Sequence, residues 1–270
     1  MTETINRQYA QYYKGLRNNR NQALILEEPL SIRIAGNPYS VVMRTPGDEI
    51  AHAAGFCLAE GIVDHPEDIV TIGFCEEDET NVVTLTLTDD RRNLVAGLLD
   101  RKGFVSQTSC GICGKEVIKD IQQVVRPVAD NTSFNVDRVM ACVDSLRTLQ
   151  PVYKKTRGSH ASVIFDKNMN SMASAEDVGR HNAIDKAIGK VFLDGGITDA
   201  SFAVMSSRLS YELVQKAARA GLEMLVGISR PTALAVDLAD SVNMTLACAK
   251  DNRFMVFCGD KRILPPDQSA

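Results

Sequence analysis

The chain has 270 residues, of which 44% are hydrophobic and 24% are charged, with 18 glycines and 9 prolines. This composition is typical of a globular protein and excludes collagen-like, low-complexity and wholly disordered chains. Because 30 basic residues are set against 34 acidic ones, the formal net charge is −4, which excludes general attraction of the whole surface to nucleic acid. An anionic ligand would have to be bound by a local cluster of basic side chains.

The seven cysteines predict a reducing compartment, because an odd number in a chain of this length does not suggest a secreted disulfide framework. Residues 1–20 are polar and lack the apolar core of a signal peptide, so we expect a loose arm on a cytoplasmic protein. No stretch reaches the roughly 18 apolar residues of a membrane helix, so we expect no membrane contact. The absence of tryptophan and the 6% aromatic content argue against a stacking surface for nucleic acid.

Residues 1–126 are predicted to form a small, strand-rich α+β domain. Runs of apolar or alternating residues predict four strands, at Leu30–Ile34, Tyr39–Met43, Ile69–Phe74 and Val82–Thr88. Between the second and third strands, Thr45–Glu49 is typical of a helix start with early acidic residues. An apolar face follows until Gly61, which we expect to end this helix.

After a connector at Arg126–Asn135, residues 127–270 are predicted to form a layered α/β domain, so the fold class is α/β, or α+β over the whole chain. The alternation of helical and strand patterns favours parallel strands joined by right-handed crossovers. The predicted helices are Val136–Leu149, His181–Phe192, Ser210–Ala220 and Thr232–Ala239. The predicted strands are Ala161–Phe165, Ser201–Ser206, Leu222–Ile228, Met244–Ala249 and Arg253–Phe257.

Cys110 and Cys113 lie in a glycine-flanked segment that precedes a helical pattern. Gly111 and Gly114 permit unusual backbone conformations, and Lys115 near a helix N-terminus would lower a thiol pKa toward neutrality. Such thiols can carry a persulfide, exchange disulfides or bind a metal, and an incidental pair is the alternative. No second Cys-x-x-Cys supports structural zinc, and no His-x-Glu precedes the pair as in zinc deaminases. We therefore predict no metal site, and we interpret these other cysteines as small hydrophobic residues: Cys57, Cys75, Cys142 and Cys258.

Three short polar turns, each predicted to follow an apolar run and to open a helix, carry basic and hydroxyl side chains. In open α/β sheets ligands bind beyond the carboxyl ends of strands, where helix N-termini present free N–H groups. The repetition favours a phosphate or nucleotide site, although helix caps and solvated charges explain each turn individually. For His160 and for His181, a structural role in the fold and a contact with a ligand are equally consistent with the sequence. The candidate binding residues are His160, Arg180, His181, Asn182, Ser206, Arg208 and Ser229.

Two long motifs, Ser109–Lys115 (SCGICGK) and Glu176–Lys186 (EDVGRHNAIDK), resemble the FdhD family of formate dehydrogenase accessory sulfurtransferases. Shorter matches extend over most of the chain, at Glu27–Leu30, Thr45–Asp48, Gly55–Gly61 and Ser207–Glu212. The resemblance implies a sulfurtransferase that receives sulfur from a cysteine desulfurase as a cysteine persulfide. It further implies transfer of that sulfur to a molybdenum or tungsten bis-guanine-dinucleotide cofactor, which is delivered to formate dehydrogenase.

The resemblance also assigns roles to individual residues. Cys110 would carry the persulfide, and Cys113 would be its partner in relay or resolution. Cofactor binding would involve a stretch near the C-terminus, made of Cys248, Ala249, Lys250, Asp251, Asn252 and Arg253. Cys248 and Lys250 depart from the aromatic-x-Arg-x-x-Arg pattern of the family.

The resemblance further implies a cytidine deaminase-like fold for the C-terminal domain and a homodimer. From the residues alone, two other functions remain open: a non-enzymatic chaperone of a guanine-dinucleotide cofactor and a dithiol oxidoreductase.

Overall fold

The computed structural model describes residues 2–75, 81–99 and 125–265. The helices in these ranges are α1 (Glu49–Ala59), α2 (Asp89–Leu94), α3 (Ala96–Leu99), α4 (Val136–Ser145), α5 (Pro151–Thr156), α6 (Arg180–Leu193), α7 (Tyr211–Arg219) and α8 (Ala233–Ser241). The strands are β1 (Thr4–Tyr13), β2 (Leu16–Ile25), β3 (Glu28–Ile34), β4 (Asn37–Arg44), β5 (Ile69–Cys75), β6 (Val82–Leu87), β7 (Phe134–Asn135), β8 (His160–Asp166), β9 (Ser171–Asp177), β10 (Ala200–Met205), β11 (Met224–Gly227), β12 (Thr245–Lys250), β13 (Arg253–Cys258) and β14 (Ile263–Leu264). The mixed α/β content confirms the predicted fold class, whereas likeness to cytidine deaminases stays a prediction. None of the described helices has the length and hydrophobicity that a membrane span requires.

The N-terminal part contains a four-stranded sheet in the order β4-β3-β6-β5. Strand β3 runs parallel to β6, and the other two pairs are antiparallel. Val83, Leu85 and Leu87 of β6 are buried while Thr86 between them is exposed, as the alternating sequence predicts. All four predicted strands and the helix α1 are confirmed, and Gly61 follows that helix with a φ of 77°.

The expectation of a loose arm at residues 1–20 is wrong. Strands β1 and β2 form an antiparallel two-stranded ribbon that is paired without a break from Thr4 opposite Ile25 to Tyr13 opposite Leu16. The two-residue turn between the strands has positive φ at both positions, as in the hairpin turns that match strand twist. Sequence patterns did not predict these strands, because they contain many Asn and Arg residues without strong strand preference and no alternation of buried and exposed residues.

The C-terminal part is built on a six-stranded sheet in the order β13-β12-β11-β10-β8-β9. Strands β10, β11 and β12 are parallel, as predicted, whereas the remaining neighbours, including β8 beside β10, pair antiparallel. The right-handed sense of the crossovers stays a prediction. Strand β9 was not predicted, because the polar sequence SMASAED of this edge strand has no continuous apolar run. Helices α6, α7 and α8 pack on one face of the sheet and α4 on the other.

The two parts are joined through a close crossing of α1 and α6. A Cβ atom on Gly55 would lie 2.8 Å from the carbonyl carbon of Asp185, and one on Gly189 would lie 2.6 Å from that of Ala51. Only glycine lets the backbones approach this closely. One hydrophobic core contains side chains from both the N-terminal sheet and α6. The division of the chain at residue 126 stays a prediction.

The connector predicted at Arg126–Asn135 is held against the C-terminal part by hydrogen bonds to buried charged side chains. The carboxylate of Glu223 accepts hydrogen bonds from the backbone N–H groups of Asn131 and Thr132, at 3.0 and 2.9 Å. The buried guanidinium of Arg262 donates to the carbonyl of Ala129 at 2.6 Å. These contacts to buried charged groups hold the connector against the sheet.

Candidate functional site

The carboxyl ends of three parallel strands lie side by side at one edge of the six-stranded sheet. Met205 at the end of β10 is opposite Gly227 at the end of β11, and Gly227 is opposite Cys248 in β12. Each strand continues into a turn at this edge, and two of the turns open helices α7 and α8. The first carries Ser206 and Arg208, and the second carries Ser229. We refer to this region as the sheet edge.

Strands β8 and β9 bring a further set of polar residues to the sheet edge. Because β8 runs antiparallel to β10, it begins where β10 ends, with His160 at its start. Strand β9 ends with Asp177 opposite His160, and the chain then enters α6. Ser206 connects β8 to the neighbouring turn, because its hydroxyl accepts a hydrogen bond of 2.7 Å from the N–H of Ala161. The sheet order thus unites turns that are far apart in the chain.

The structure places the predicted binding residues in three groups. Those at the sheet edge are His160, Arg180, His181, Ser206, Arg208, Ser229, Lys250, Asp251, Asn252 and Arg253. Cys248 and Ala249 lie within β12 with buried side chains. Asn182 belongs to the first turn of α6. Nothing in the structure tests ligand contacts, so the binding roles of all these residues stay predictions.

The sheet edge is rich in basic side chains although the protein as a whole is acidic. Arg208, Arg230, Lys250 and Arg253 are exposed there, and Arg180 is partly buried. Arg230 follows Ser229 in the second turn. Guanidinium and ammonium groups form strong, charge-assisted hydrogen bonds with phosphate oxygens. The cluster therefore provides the local positive charge that an anionic ligand needs.

The two histidines of the sheet edge do not add to this positive charge at neutral pH. Burial lowers the pKa of His181 to about 4, against the opposing effect of Glu212. Burial, together with the nearby charge of Arg180, also lowers the pKa of His160. Neutral imidazoles can exchange hydrogen bonds with neighbouring groups without the desolvation cost of a buried cation.

Two contacts of His181 were not singled out from the sequence. Its Nε2 atom lies 3.2 Å from the Ser210 hydroxyl and 3.5 Å from a carboxylate oxygen of Glu212. Ser210 precedes α7 but makes no side-chain cap on that helix. Ser210 and Glu212 follow closely after Arg208 in the sequence. This closeness to a predicted binding residue was the signal that could have identified them.

Several residues of the EDVGRHNAIDK motif point inward and hold the fold together. The buried carboxylate of Asp177 pairs with Lys186 at 2.8 Å and accepts the backbone N–H of Thr45 at 3.0 Å. Lys186 also donates to the carbonyl of Thr45 at 2.7 Å. The side-chain amide of Asn182 donates to Asp177 and to the carbonyl of Met43. These bonds tie the start of α6 to the segment after β4.

Two further acids of this motif also make internal contacts. Glu176 accepts the free N–H groups of Val152 and Tyr153 at the start of α5, at 2.7 and 2.8 Å. Asp185 pairs with Lys216 of α7 at 2.8 Å, and both side chains are buried. Burial raises the pKa of the Asp185 carboxyl. The motif therefore serves the structure along most of its length. Arg180 and His181 are the predicted binding residues that it contributes to the sheet edge.

Cys110 and Cys113 lie outside the described residues, so their predicted roles stay predictions. Among the described cysteines, burial raises the pKa of Cys142 to about 11, and it also raises the pKa of Cys57. Both residues are buried, which confirms their interpretation as small hydrophobic residues. Cys75, in contrast, is exposed at the end of β5.

Comparisons with known proteins show extensive similarity. The model of the FdhD/NarQ family matches residues 25–264. A protein of Mycobacterium tuberculosis named sulfur carrier protein FdhD is 40% identical over 239 residues, covering 84% of this chain and 86% of that protein. A protein of the same name from Streptomyces coelicolor is 34% identical over 260 residues, covering 92% of each chain.

A solved structure has the same fold. The crystal structure of a putative formate dehydrogenase accessory protein from Desulfotalea psychrophila is similar with a TM-score of 0.79 at 21% identity. The match covers 97% of this chain and 100% of that chain.

Proposed function

The chain belongs to the FdhD/NarQ family, and we propose that it is a sulfur carrier acting in formate dehydrogenase maturation. In this proposal a cysteine desulfurase supplies the sulfur, and Cys110 carries it as a persulfide with Cys113 assisting relay or resolution. The acceptor is a molybdenum or tungsten bis-guanine-dinucleotide cofactor, which is the cargo of a cytoplasmic homodimer. Formate dehydrogenase receives the cofactor.

The observation that carries the proposal is the convergence of basic turns on the sheet edge. A guanine dinucleotide presents phosphates, and Arg208, Arg230 and Arg253 are exposed at one edge of one sheet. Ser206 and Ser229 bring hydroxyl groups to the same edge. This arrangement fits a phosphate-bearing cargo, because local cations bind phosphates even when the net charge is negative.

Sulfur loading requires a thiolate. The Cys110 thiolate would attack the outer sulfur of the donor persulfide, whose S–S bond breaks as the donor cysteine leaves as a thiolate. The exchange moves one sulfur atom without net oxidation or reduction. Because Lys115 follows the cysteine pair in the sequence, a positive charge is available near the thiolate.

Mass spectrometry after incubation with a cysteine desulfurase and L-cysteine tests the sulfur-carrier role. We expect the full chain to gain one sulfur atom on the peptide containing Cys110, and we expect a reductant to remove it. The Cys110→Ala variant should lose this adduct and fail to activate co-expressed formate dehydrogenase. The Cys142→Ala variant is the matched control, because Cys142 is a buried thiol of α4, and it should be loaded like the wild type.

The same measurements separate the proposal from its alternatives. If a Cys110→Ala, Cys113→Ala double variant still activated formate dehydrogenase fully, the protein would be a non-enzymatic cofactor chaperone and not a sulfur carrier. Turnover of a protein disulfide, with reversible formation of a Cys110–Cys113 disulfide, would instead identify a dithiol oxidoreductase.

Thermal unfolding in the presence of GDP tests the sheet edge as a phosphate site. GDP should raise the unfolding temperature because it binds the folded chain alone. Arg208→Ala should weaken GDP binding by about tenfold or more, as expected for one lost charge-assisted hydrogen bond. The control is Arg138→Ala, since Arg138 contacts Asn168 in the turn at the opposite edge of the same sheet. Equal GDP protection of both variants would show that phosphate does not bind at Arg208.

A further inference from the structure

Thr45, directly after β4, is buried against the turn that brings Arg180 and His181 to the sheet edge. This turn, Asp177–His181, joins the end of β9 to the start of α6. Thr45 begins the motif Thr45–Asp48, which contributed to the family resemblance and has no role in the proposed function. Its position gives the N-terminal part of the chain a direct contact with a predicted binding turn of the C-terminal part.

Three polar groups of Thr45 form hydrogen bonds with the chain around this turn. Its hydroxyl accepts the backbone N–H of Val178 at 3.0 Å. Its own N–H donates to the carboxylate of Asp177 at 3.0 Å, and its carbonyl accepts from Lys186 at 2.7 Å. The last two bonds involve the backbone of Thr45, so a change of its side chain removes the bond to Val178 alone.

Asp177 extends this contact into the turn. Its other carboxylate oxygen accepts the N–H of Gly179 and the side-chain amide of Asn182, both at 2.8 Å. The same amide donates to the carbonyl of Met43 at 2.7 Å. Gly179 is the N-cap residue of α6, where the described residues provide no side-chain cap. The turn is therefore held by Asp177 and by the end of β4 with Thr45.

The side chains of Arg180 and His181 depend on the backbone of this turn for their direction. The Nε atom of Arg180 is buried and has no hydrogen-bond partner among the described residues. An unpaired buried N–H is unfavourable, and a phosphate oxygen is the kind of acceptor that a guanidinium binds strongly. A shift of the turn would move this donor relative to Arg208 on the neighbouring turn, and both donors could then not meet one phosphate group.

We propose that Thr45 is a positioning residue, whose hydroxyl fixes the turn so that Arg180 and His181 meet the phosphate of the cargo at the sheet edge. The cargo and its phosphate rest on the proposed function. Residues that contact a ligand are held in their binding geometry by hydrogen bonds from the groups behind them. Through Thr45, the N-terminal part sets the affinity of a site that the C-terminal part forms.

Titration calorimetry of the full chain with GDP measures the effect on affinity. Thr45→Val keeps the branched shape of the side chain but removes its hydroxyl. This variant should bind GDP about tenfold more weakly than the wild type, which is the scale of loss when a group that orients a binding residue is removed. Thr45→Ala removes the same hydroxyl and should show the same loss. Thr45→Ser keeps the hydroxyl and should bind GDP like the wild type.

Thr245→Val is the matched control for these variants. Thr245 is fully buried at the start of β12, at the end of the sheet opposite the sheet edge. Its hydroxyl donates to the carbonyl of Gly259 at 2.7 Å. The control therefore loses one hydrogen bond of a buried threonine hydroxyl, as Thr45→Val does. It should lose a similar amount of stability in urea and bind GDP like the wild type.

Histidine NMR reports the position of the turn without a ligand. Burial lowers the pKa of His181 to about 4. The charged and titratable groups that act on this imidazole belong to Glu212, Lys216, Arg180 and His160. In Thr45→Val a loosened turn admits water, so the pKa of His181 should rise toward its ordinary value of about 6.5. In Thr245→Val it should stay at about 4. A His181→Gln variant assigns the signal.

The outcomes separate this proposal from the proposed function. Absence of GDP binding by the wild type would overturn the phosphate site and the positioning role together. Wild-type GDP affinity in Thr45→Val, or an unchanged pKa of His181 in that variant, would overturn the positioning role and leave the phosphate site standing. The same holds for an equal loss of GDP affinity in Thr45→Ser or in Thr245→Val, because the loss would then not depend on the hydroxyl at position 45.

Discussion

Replacing Gly189 with alanine is expected to destabilise the fold strongly. The new Cβ atom would lie 2.6 Å from the carbonyl carbon of Ala51 and 2.9 Å from the backbone nitrogen of Gly55. Both neighbours are backbone atoms of α1, so the helices must separate, and the core that they share loses packing. Such overpacking costs about 3 kcal/mol, which lowers the unfolding temperature by on the order of 10 °C. Thermal unfolding followed by circular dichroism measures this effect.

Gly97→Ala is the control for this prediction. Gly97 also lies in a helix, α3, but it is exposed, and a Cβ atom there would have no neighbour within 4 Å among the described residues. Alanine should therefore leave stability unchanged or raise it slightly, because glycine is the less favourable residue in a helix. Equal unfolding temperatures for the two variants would show that α1 and α6 are not in close contact.

The α1–α6 crossing illustrates what the sequence could and could not predict. Hydrophobic periodicity predicted the positions of both helices, because each presents an apolar face at helical spacing. The sequence did not reveal that Gly55 and Gly189 face each other, since this contact joins residues that are distant in the chain. The contribution of this glycine contact to stability depends on the distance between the backbones of α1 and α6. A pattern of residue types does not give that distance.

A similar limit applies to the candidate site. The polar turns at Ser206 and Ser229 were predicted from apolar strands followed by hydroxyl and basic residues. Their convergence follows from the parallel direction of neighbouring strands β10 and β11. The sequence predicted parallel strands, but it did not predict which strands are neighbours. The inward orientation of Asp177 and Lys186 was not predicted, because charged residues near a helix start occur both in ligand sites and in buried ion pairs. In the structure the side chains of Asp177 and Lys186 are buried and paired with each other, so these two residues form a buried ion pair.

The most informative test of these inward residues is Lys186→Met, which should cost about 3–5 kcal/mol of stability. The change leaves the fully buried carboxylate of Asp177 without its cation and the carbonyl of Thr45 without a donor. Lys190→Met is the matched control, because Lys190 is one turn further along α6 and forms a comparable 2.7 Å ion pair with Asp48. That pair is partly exposed to solvent, so its loss should cost about 0–1 kcal/mol. Urea unfolding of both variants measures the difference. Equal losses would contradict the view that the buried bonds of Asp177 and Lys186, including those to Thr45, stabilise the fold more than an exposed ion pair does.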